Sequence, residues 1–464
     1  MKHMKALIAL IVVIIVIVAF IVAWQVTLPP AQKQSIKIGL VAPESTSIGQ
    51  DMDRAANLAV DQINAAGGIY VKDWGYNATI TLITADTVDD SPTNAVPPVT
   101  NAITDQKVDL LIGGYSSAGT LADEVQAVTN RVPFIITGAS SDLVTRRGPQ
   151  GDYGGDGPNG TNSLSDAVGM SYMFHYCTTT YDYTKTMMEF FATVMKPMVD
   201  SNYGFSSSRP FRLAIAYRDD AFGNGVFAAS GYWIINESLP ITLVANETYP
   251  TTTTNFQTYL TAIKAASPDA VLVVDNPDRT PLVVTQGIND VGLQTVYMAV
   301  ENNEDPAFYS GLGQTGNGQL LESKFSPFAG SYSTAITPYV TAYEQKYPSN
   351  TPGMMGADTY DAFYIAKNAI ERAGTVDKAA VRDALEATNM TVRLVLTQTC
   401  QIQFSTGTNY HEIGPITFME QLYWNQTAGV LRPKIVWTPS NVPSLVSIRQ
   451  GTFALPQGYT PGSP

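Results

Sequence analysis

"LLIGGYSSAGTLA", Leu110 to Ala122, passes from a short apolar run through two glycines and two serines into a helix-forming segment. The apolar run reads as a buried strand, and Gly113-Gly114 allows the backbone to turn tightly after it. Strand, polar turn and helix in that order make one unit of an open α/β sheet, where ligands sit beyond the carboxyl ends of the strands. Ser116 and Ser117 lie where backbone N–H groups and the positive end of a helix dipole would face an anion. So much hydroxyl beside so little side chain suits a nucleophile, a phosphate or a small carboxylate. Serines at such a place also cap helices where no ligand exists.

The same unit recurs on both sides. Upstream, "IKIGLVA" (Ile36 to Ala42) reads as a buried strand. A helix follows, in which Met52, Ala55, Ala56, Ala59 and Ile63 recur at helical spacing, closed by Gly67-Gly68. "ATITLITA" is a strand, Pro92 to Gln106 a helix, "VDLLIG" a strand, Gly119 to Asn130 a helix and "PFIIT" a strand. "TGASSD" (Thr137 to Asp142) follows that last strand as "YSSAGT" follows the one before, so two adjacent strand ends carry serines. The rhythm breaks at Arg146 to Asp166, a Gly-rich polar stretch read as a long surface loop. A second alternating set begins at "FRLAIAY" and runs through "ITLVANE", "AVLVVD" and "TVYMAV" with helices between. The pattern predicts two βαβ lobes of similar size, each a parallel sheet covered on both faces.

Composition narrows the setting. The chain has 464 residues, 14% of them charged, and a net charge of −13, which repels nucleic acid and anionic lipid. Ala6 to Trp24 carries no polar side chain and as a helix is long enough to cross a bilayer. No small-residue cleavage site follows, so an uncleaved anchor is expected, with a long cleaved signal as the alternative. Lys2 and Lys5 precede the span, which keeps the short tail inside and exports the rest. Asn77, Asn159, Asn236, Asn246, Asn389 and Asn425 each head an N-x-[ST] sequon, in keeping with export. Cys177 and Cys400 are the two cysteines. Outside the cytosol they read as one disulfide or as two free thiols.

Metal and catalytic chemistry find little support. The three histidines, His3, His175 and His411, pair with no other ligand at helical spacing. No metal and no cofactor is expected. "GLGQTG" (Gly311 to Gly316) has dinucleotide-type glycines but follows no strand, and "GYSSAG" misses the spacing of a nucleophile elbow. The second lobe offers acids at strand ends instead: Asp275 in "VLVVDNPD" and Glu301 in "YMAVENNED". Phe222 in "DDAFGNG" stands at a helix start.

Taken in order, "INAAGGI", "LIGGYSSAGT", "PFIITGASSDLVTRRG", "AIAYRDDAFGNG", "YMAVEN", "ADTYDAFYIAKNAI" and "EIGPITF" resemble the type I periplasmic binding proteins of ABC importers, in particular their leucine/isoleucine/valine-binding branch. The likeness spans roughly Ser35 to Thr438. It implies two doubly wound lobes joined by a three-segment hinge. With the crossovers it implies, the first lobe runs over 35–176 with 326–398 and the second over 177–325 with 399–440; the apolar run gives an anchor or signal segment at 1–28, Pro29-Pro30 a linker at 29–34, and the Pro/Gly/Ser-rich end a loose tail at 441–464. The likeness places the carboxylate-binding serine at Ser117, beside Ser116. The carbonyl for a ligand amine falls at Ala139, a hydroxyl at Ser141, the ammonium-binding acid at Glu301, and aromatic walls at Phe222 and Tyr360. Asp275 makes the expected pocket more acidic than the family pattern. Phe222 stands where a tyrosine is usual, and "DNPD" replaces an aromatic-containing loop, so the side-chain pocket differs. The implied crossovers near Tyr172 to Thr180, Lys324 to Pro327 and Leu396 to Ile402 bring Cys177 and Cys400 onto neighbouring segments, within disulfide reach.

The expected function is capture of an amino acid, branched-chain or otherwise neutral, by hinge closure, and delivery to an ABC permease. A sensory ectodomain on the same fold is the first alternative. Only five residues precede the apolar span, which leaves no room for an output domain. A binder of amides or small carboxylates is the second. An exported serine hydrolase would need His411 or another base beside Ser116 or Ser117.

Overall fold

The computed structural model describes residues 4, 13–15, 33–147, 166–329, 334–391, 393–397, 399–407, 410–439 and 448–463. Among these no helix is long and apolar enough to cross a membrane. Most of the Ala6 to Trp24 run, residues 148–165 of the insertion, and Asn159 lie outside the described residues.

The first lobe is built on five parallel strands: β1 (Ile36–Ala42), β2 (Ile80–Asp86), β3 (Leu110–Gly113), β4 (Phe134–Ile136) and β5 (Met173–His175), in the order β2-β1-β3-β4-β5. Six of the seven β1 residues are buried, as expected of a parallel strand covered on both faces. Helices α1 (Ser47–Ala65), α2 (Pro92–Thr104) and α3 (Ser117–Asn130) follow β1, β2 and β3. Thr46 caps α1 by accepting from the Gly49 amide, and Met52, Ala55, Ala56, Ala59 and Ile63 are all buried, as their spacing predicts.

The second lobe holds a seven-stranded sheet. Its strands are β6 (Phe211–Arg218), β7 (Ile241–Tyr249), β8 (Ala270–Val274), β9 (Val296–Ala299), β10 (Leu320–Ser323), β11 (Phe418–Asn425) and β12 (Val430–Trp437), in the order β12-β11-β10-β9-β8-β6-β7. β11 pairs antiparallel with both β10 and β12, so the sheet is mixed at one edge. Helices α4 (Thr180–Phe190) and α5 (Ala221–Asn236) cover part of it.

Three connections join the lobes. The chain leaves β5 and enters α4. It returns after β10, so that Ile336, Tyr339 and the long helix α6 (Met354–Ala373) pack in the first-lobe core. The last crossing comes later than the expected Leu396 to Ile402. Ile402, Phe404 and Ile413 still belong to the first-lobe core, and the chain changes lobe between Ile413 and Phe418.

Three further expectations are corrected. Residues 448–463 are not loose: Phe453 and Tyr459 are buried in the second-lobe core, and the Gly462 amide donates to Asp269 at 2.8 Å. Two aromatic anchors are enough to hold a Pro/Gly-rich segment on the surface. Arg146 and Arg147 are not loop residues. Arg146 Nε and Nη2 each donate to Glu412 at 2.8 Å, and Arg147 pairs with Glu124. The cysteines form no disulfide: Cys177 is buried with its thiol on the Ala139 carbonyl at 3.2 Å, while Cys400 is exposed. The five described sequon asparagines, Asn77, Asn236, Asn246, Asn389 and Asn425, are all exposed, which permits modification without establishing it.

Candidate ligand-binding cleft

The strand ends of both lobes meet at a narrow cavity. Tyr115, Ser116, Ser117, Gly138, Ser140 and Met355 line it from the first lobe, and Arg218, Asp220, Phe222, Asn276, Glu301 and Asn302 from the second. The walls touch directly. Tyr115 donates its hydroxyl to Asn276 Oδ1 at 2.9 Å, and Asn302 Nδ2 donates to Tyr115 at 3.2 Å.

The turn after β3 is built by glycine. Gly113 and Gly114 have φ of 119° and 78°. A Cβ on Gly113 would lie 2.2 Å from the Val41 carbonyl oxygen, so no other residue lets β3 end so close to β1. Ser116 then caps α3, accepting from the Gly119 amide at 3.0 Å. Its hydroxyl donates to the Asp90 carbonyl at 2.7 Å, and its amide donates to the Asp90 carboxylate. The protein's own carboxylate therefore takes the first amide of this helix end, and Ser116 faces the cavity with its polar groups committed. Ser117 is different. Its oxygen accepts from the Ser141 amide at 3.1 Å, while its hydroxyl hydrogen has no partner among the described residues.

Glu301 follows β9, is 1% exposed, and lines the same cavity. Lys324 Nζ stands 3.5 Å from it and 2.9 Å from Asp358 on α6. Neither Glu301 oxygen accepts a hydrogen bond of normal geometry. Burial raises the Glu301 pKa, and the Lys324 ammonium opposes that rise. Burial pushes Asp358 up to about 7 against the same lysine. For Lys324 burial would lower the pKa, but the Asp358 and Glu301 carboxylates outweigh it and hold the amine protonated. Glu301 is thus no wet surface acid. It is a buried carboxyl group facing a hinge lysine, and neither of its buried oxygens is in a hydrogen bond of normal geometry.

Of the other expected site residues, Phe222 lines the cavity from the first turn of α5. Four do not. The Ala139 carbonyl accepts from His175 Nε2 at 2.7 Å and from the Cys177 thiol, so it is spent on the hinge. Ser141 supports Ser117 and faces a neighbouring groove. Asp275 is fully buried and accepts from Arg279 Nε at 3.0 Å; its neighbour Asn276 faces the cleft, since successive side chains off a strand end diverge. Tyr360 packs within the first lobe and donates to Gln62 at 2.5 Å. Met355, five residues earlier, lines the cavity, because at ~100° per residue the two point to different faces of α6. His411 is buried, stacked on Phe174 at 4.1 Å, and does not line the cavity, so it supplies no base to Ser116 or Ser117.

Sequence reasoning missed Arg218, Asn276, Asn302, Tyr115 and Ser140. Arg218 had a signal: it is the last residue of β6, a cation at the carboxyl end of a central strand. It lies 2.6 Å from Asp220 and 3.9 Å from Asp275. Burial would lower its pKa, and those two carboxylates raise it.

Known proteins share this architecture. Residues 35–420 match the periplasmic binding protein family. A Leu/Ile/Val-binding protein homolog of Brucella abortus (strain 2308) is 22% identical over 377 residues, covering 80% of this chain and 85% of that one. Among solved structures, the branched-chain amino acid binding protein LivJ of Streptococcus pneumoniae, in complex with isoleucine, superposes with a TM-score of 0.66 at 21% identity, covering 86% of this chain and 99% of that one. A solute binding protein of Rhodopseudomonas palustris BisB5, in complex with 3,4-dihydroxybenzoic acid, gives 0.67 at 18% identity, covering 89% and 99%. The two solved structures are substrate or solute binding proteins of transporters, and the family matched is one of periplasmic binding proteins, which are not enzymes. On this match over most of its length and the two-lobed fold, the chain belongs to the type I periplasmic binding protein family.

Proposed function

We propose that the cleft captures a free α-amino acid and that lobe closure presents it to an ABC permease. The observation that carries this reading is the pairing of two opposite chemistries in one interlobe cavity. Ser117, at the positive end of α3, offers a hydroxyl donor to a carboxylate. Glu301, from the other lobe, lines the cavity and offers an ammonium a carboxylate whose oxygens lack a hydrogen bond of normal geometry. Because the two come from different lobes, a zwitterion bridging them favours the closed form. The Lys324 ion pair favours a second reading, a small carboxylate without an ammonium, since it already offsets part of the Glu301 charge. Relatives of this fold hold isoleucine and 3,4-dihydroxybenzoic acid, and both ligands carry a carboxylate.

Calorimetric titration of the fragment from Ser35 onward tests the choice. Amino acids binding more tightly than their deaminated carboxylates support the first reading; the reverse order supports the second. Membrane attachment through Ala6 to Trp24 belongs to the same proposal and rests on the apolar run alone. Full-length protein should fractionate with membranes and the Ser35 fragment should not; equal partition would remove the anchor.

A further inference from the structure

We infer that the ligand carries a second anionic group, held by Arg218, so that this cleft selects an acidic amino acid over a branched-chain one. The inference rests on the amino-acid reading for the ligand's backbone end and adds the other end.

The donors at that end are free. Arg218 has 13% of its side chain exposed and is neighboured by Asp220 on one edge of the guanidinium. Neither terminal nitrogen, Nη1 nor Nη2, donates a hydrogen bond among the described residues. Asn276 Oδ1 is occupied by Tyr115 and by Asn302 Nδ2, which leaves Asn276 Nδ2 as its unused donor. Asn302 Oδ1 is taken by Asn303 Nδ2 at 2.8 Å. Of the acids here, Asp220 accepts from the Gly223 amide with Oδ1 and meets Arg218 Nε with Oδ2, Asp275 Oδ1 lies 3.9 Å from Arg218 Nη1, and Asp89, Asp90, Asp219 and Asp278 line the outer groove. The unfilled groups on this wall are therefore N–H donors, and a guanidinium edge presents two of them side by side.

An aliphatic side chain placed here would strand those donors, at the cost of desolvating a guanidinium. An amide would satisfy part of them while adding donors of its own. A carboxylate supplies acceptors alone and matches the guanidinium fork. Arg218, Asp220, Asn276, Tyr115 and Ser116 also face a wider outer groove, so this end of the cleft has room for a side chain longer than one methylene. Asp275 is shared, 3.0 Å from Arg279 Nε and 3.9 Å from Arg218 Nη1, and Arg218 is the arginine of the two that lines the inner cavity.

The test is calorimetry on the Ser35 fragment with glutamate, aspartate, glutamine, leucine and glutarate, for wild type, Arg218→Met and Asn276→Asp. Thermal melts of each variant confirm folding. Wild type should bind glutamate at least tenfold more tightly than leucine. Arg218→Met should lose roughly ten- to hundredfold for glutamate and not for leucine, the range expected for charge-assisted hydrogen bonds. Asn276→Asp puts a repelling carboxylate on the same wall without touching Arg218, and should weaken glutamate more than glutamine. Leucine bound more tightly than glutamate, with Arg218→Met unchanged, would overturn the inference and leave the amino-acid reading standing. Glutarate bound as tightly as glutamate, still dependent on Arg218, would keep this subsite and overturn the amino-acid reading. No binding of any of the five would overturn both.

Discussion

Asp123→Asn isolates a stability effect that belongs to one side chain. Asp123 sits on α3 with no exposed surface, and neither carboxylate oxygen accepts a hydrogen bond. Burial, then the charges of Asp90 and Glu124, push its pKa from 3.8 to about 8. The folded value lies above the unfolded one. The stability it contributes is therefore complete below pH ~4 and is lost as pH rises through about 8. At about 1.4 kcal/mol per pH unit, the gap sets a ceiling of about 6 kcal/mol. Water penetration and local relaxation reduce such figures, and about 2–3 kcal/mol is the working expectation. Asparagine keeps the size and a polar head but cannot ionise. Denaturant melts of both proteins at pH 4 and pH 9 should agree closely at pH 4, with Asp123→Asn more stable by that margin at pH 9. Parallel pH profiles would mean instead that Asp123 is hydrated in the folded protein.

Lys324→Met removes the cation shared by Glu301 and Asp358, and should cost about 3–5 kcal/mol at pH 8, the usual penalty for breaking a buried pair; a change below about 1 kcal/mol in denaturant melts would show that the cluster is neutral. The loss should shrink at pH 5, because Asp358, raised to about 7, then takes up a proton in place of its partner. Reducing agent should leave the melting temperature unchanged, and thiol titration should count two thiols only after unfolding but one, Cys400, in the native state; two oxidised cysteines would contradict the buried Cys177 thiol.

The two-lobed fold was legible because parallel strands buried on both faces are near-continuous apolar runs. "IKIGLVA" and "AVLVVD" show that directly, as do the helical spacings of α1. The motif positions also located Ser117, Phe222 and Glu301, all of which line the cleft. What failed was facing. Asp275 and Asn276 differ by one position at a strand end, and Tyr360 and Met355 by five on one helix, and a motif fixes position along the chain better than it fixes rotation. Partnering failed too. Nothing in "YSSAGT" says that Asp90, 26 residues earlier, fills the amide of Ser116. Nothing near Glu301 says that Lys324, at the end of the neighbouring strand, stands between it and Asp358 of the other lobe. The tail's two aromatics, Phe453 and Tyr459, were discounted against its prolines and glycines, yet burial of two rings outweighs the entropy of ordering a short strap.

On the proposed reading, Glu301 holds the ligand's ammonium in the interlobe cleft. The most direct test is calorimetric titration of the same amino acid into wild type and Glu301→Gln. Glutamine keeps the volume, and Lys324 remains paired with Asp358 at 2.9 Å, so the fold should hold. A charge-assisted hydrogen bond contributes roughly 1.5–3 kcal/mol, and about 1.4 kcal/mol is tenfold in affinity. The expected result is a ten- to hundredfold loss of affinity, with no such loss for the corresponding deaminated carboxylate. Equal amino-acid affinity in the two proteins would contradict the account.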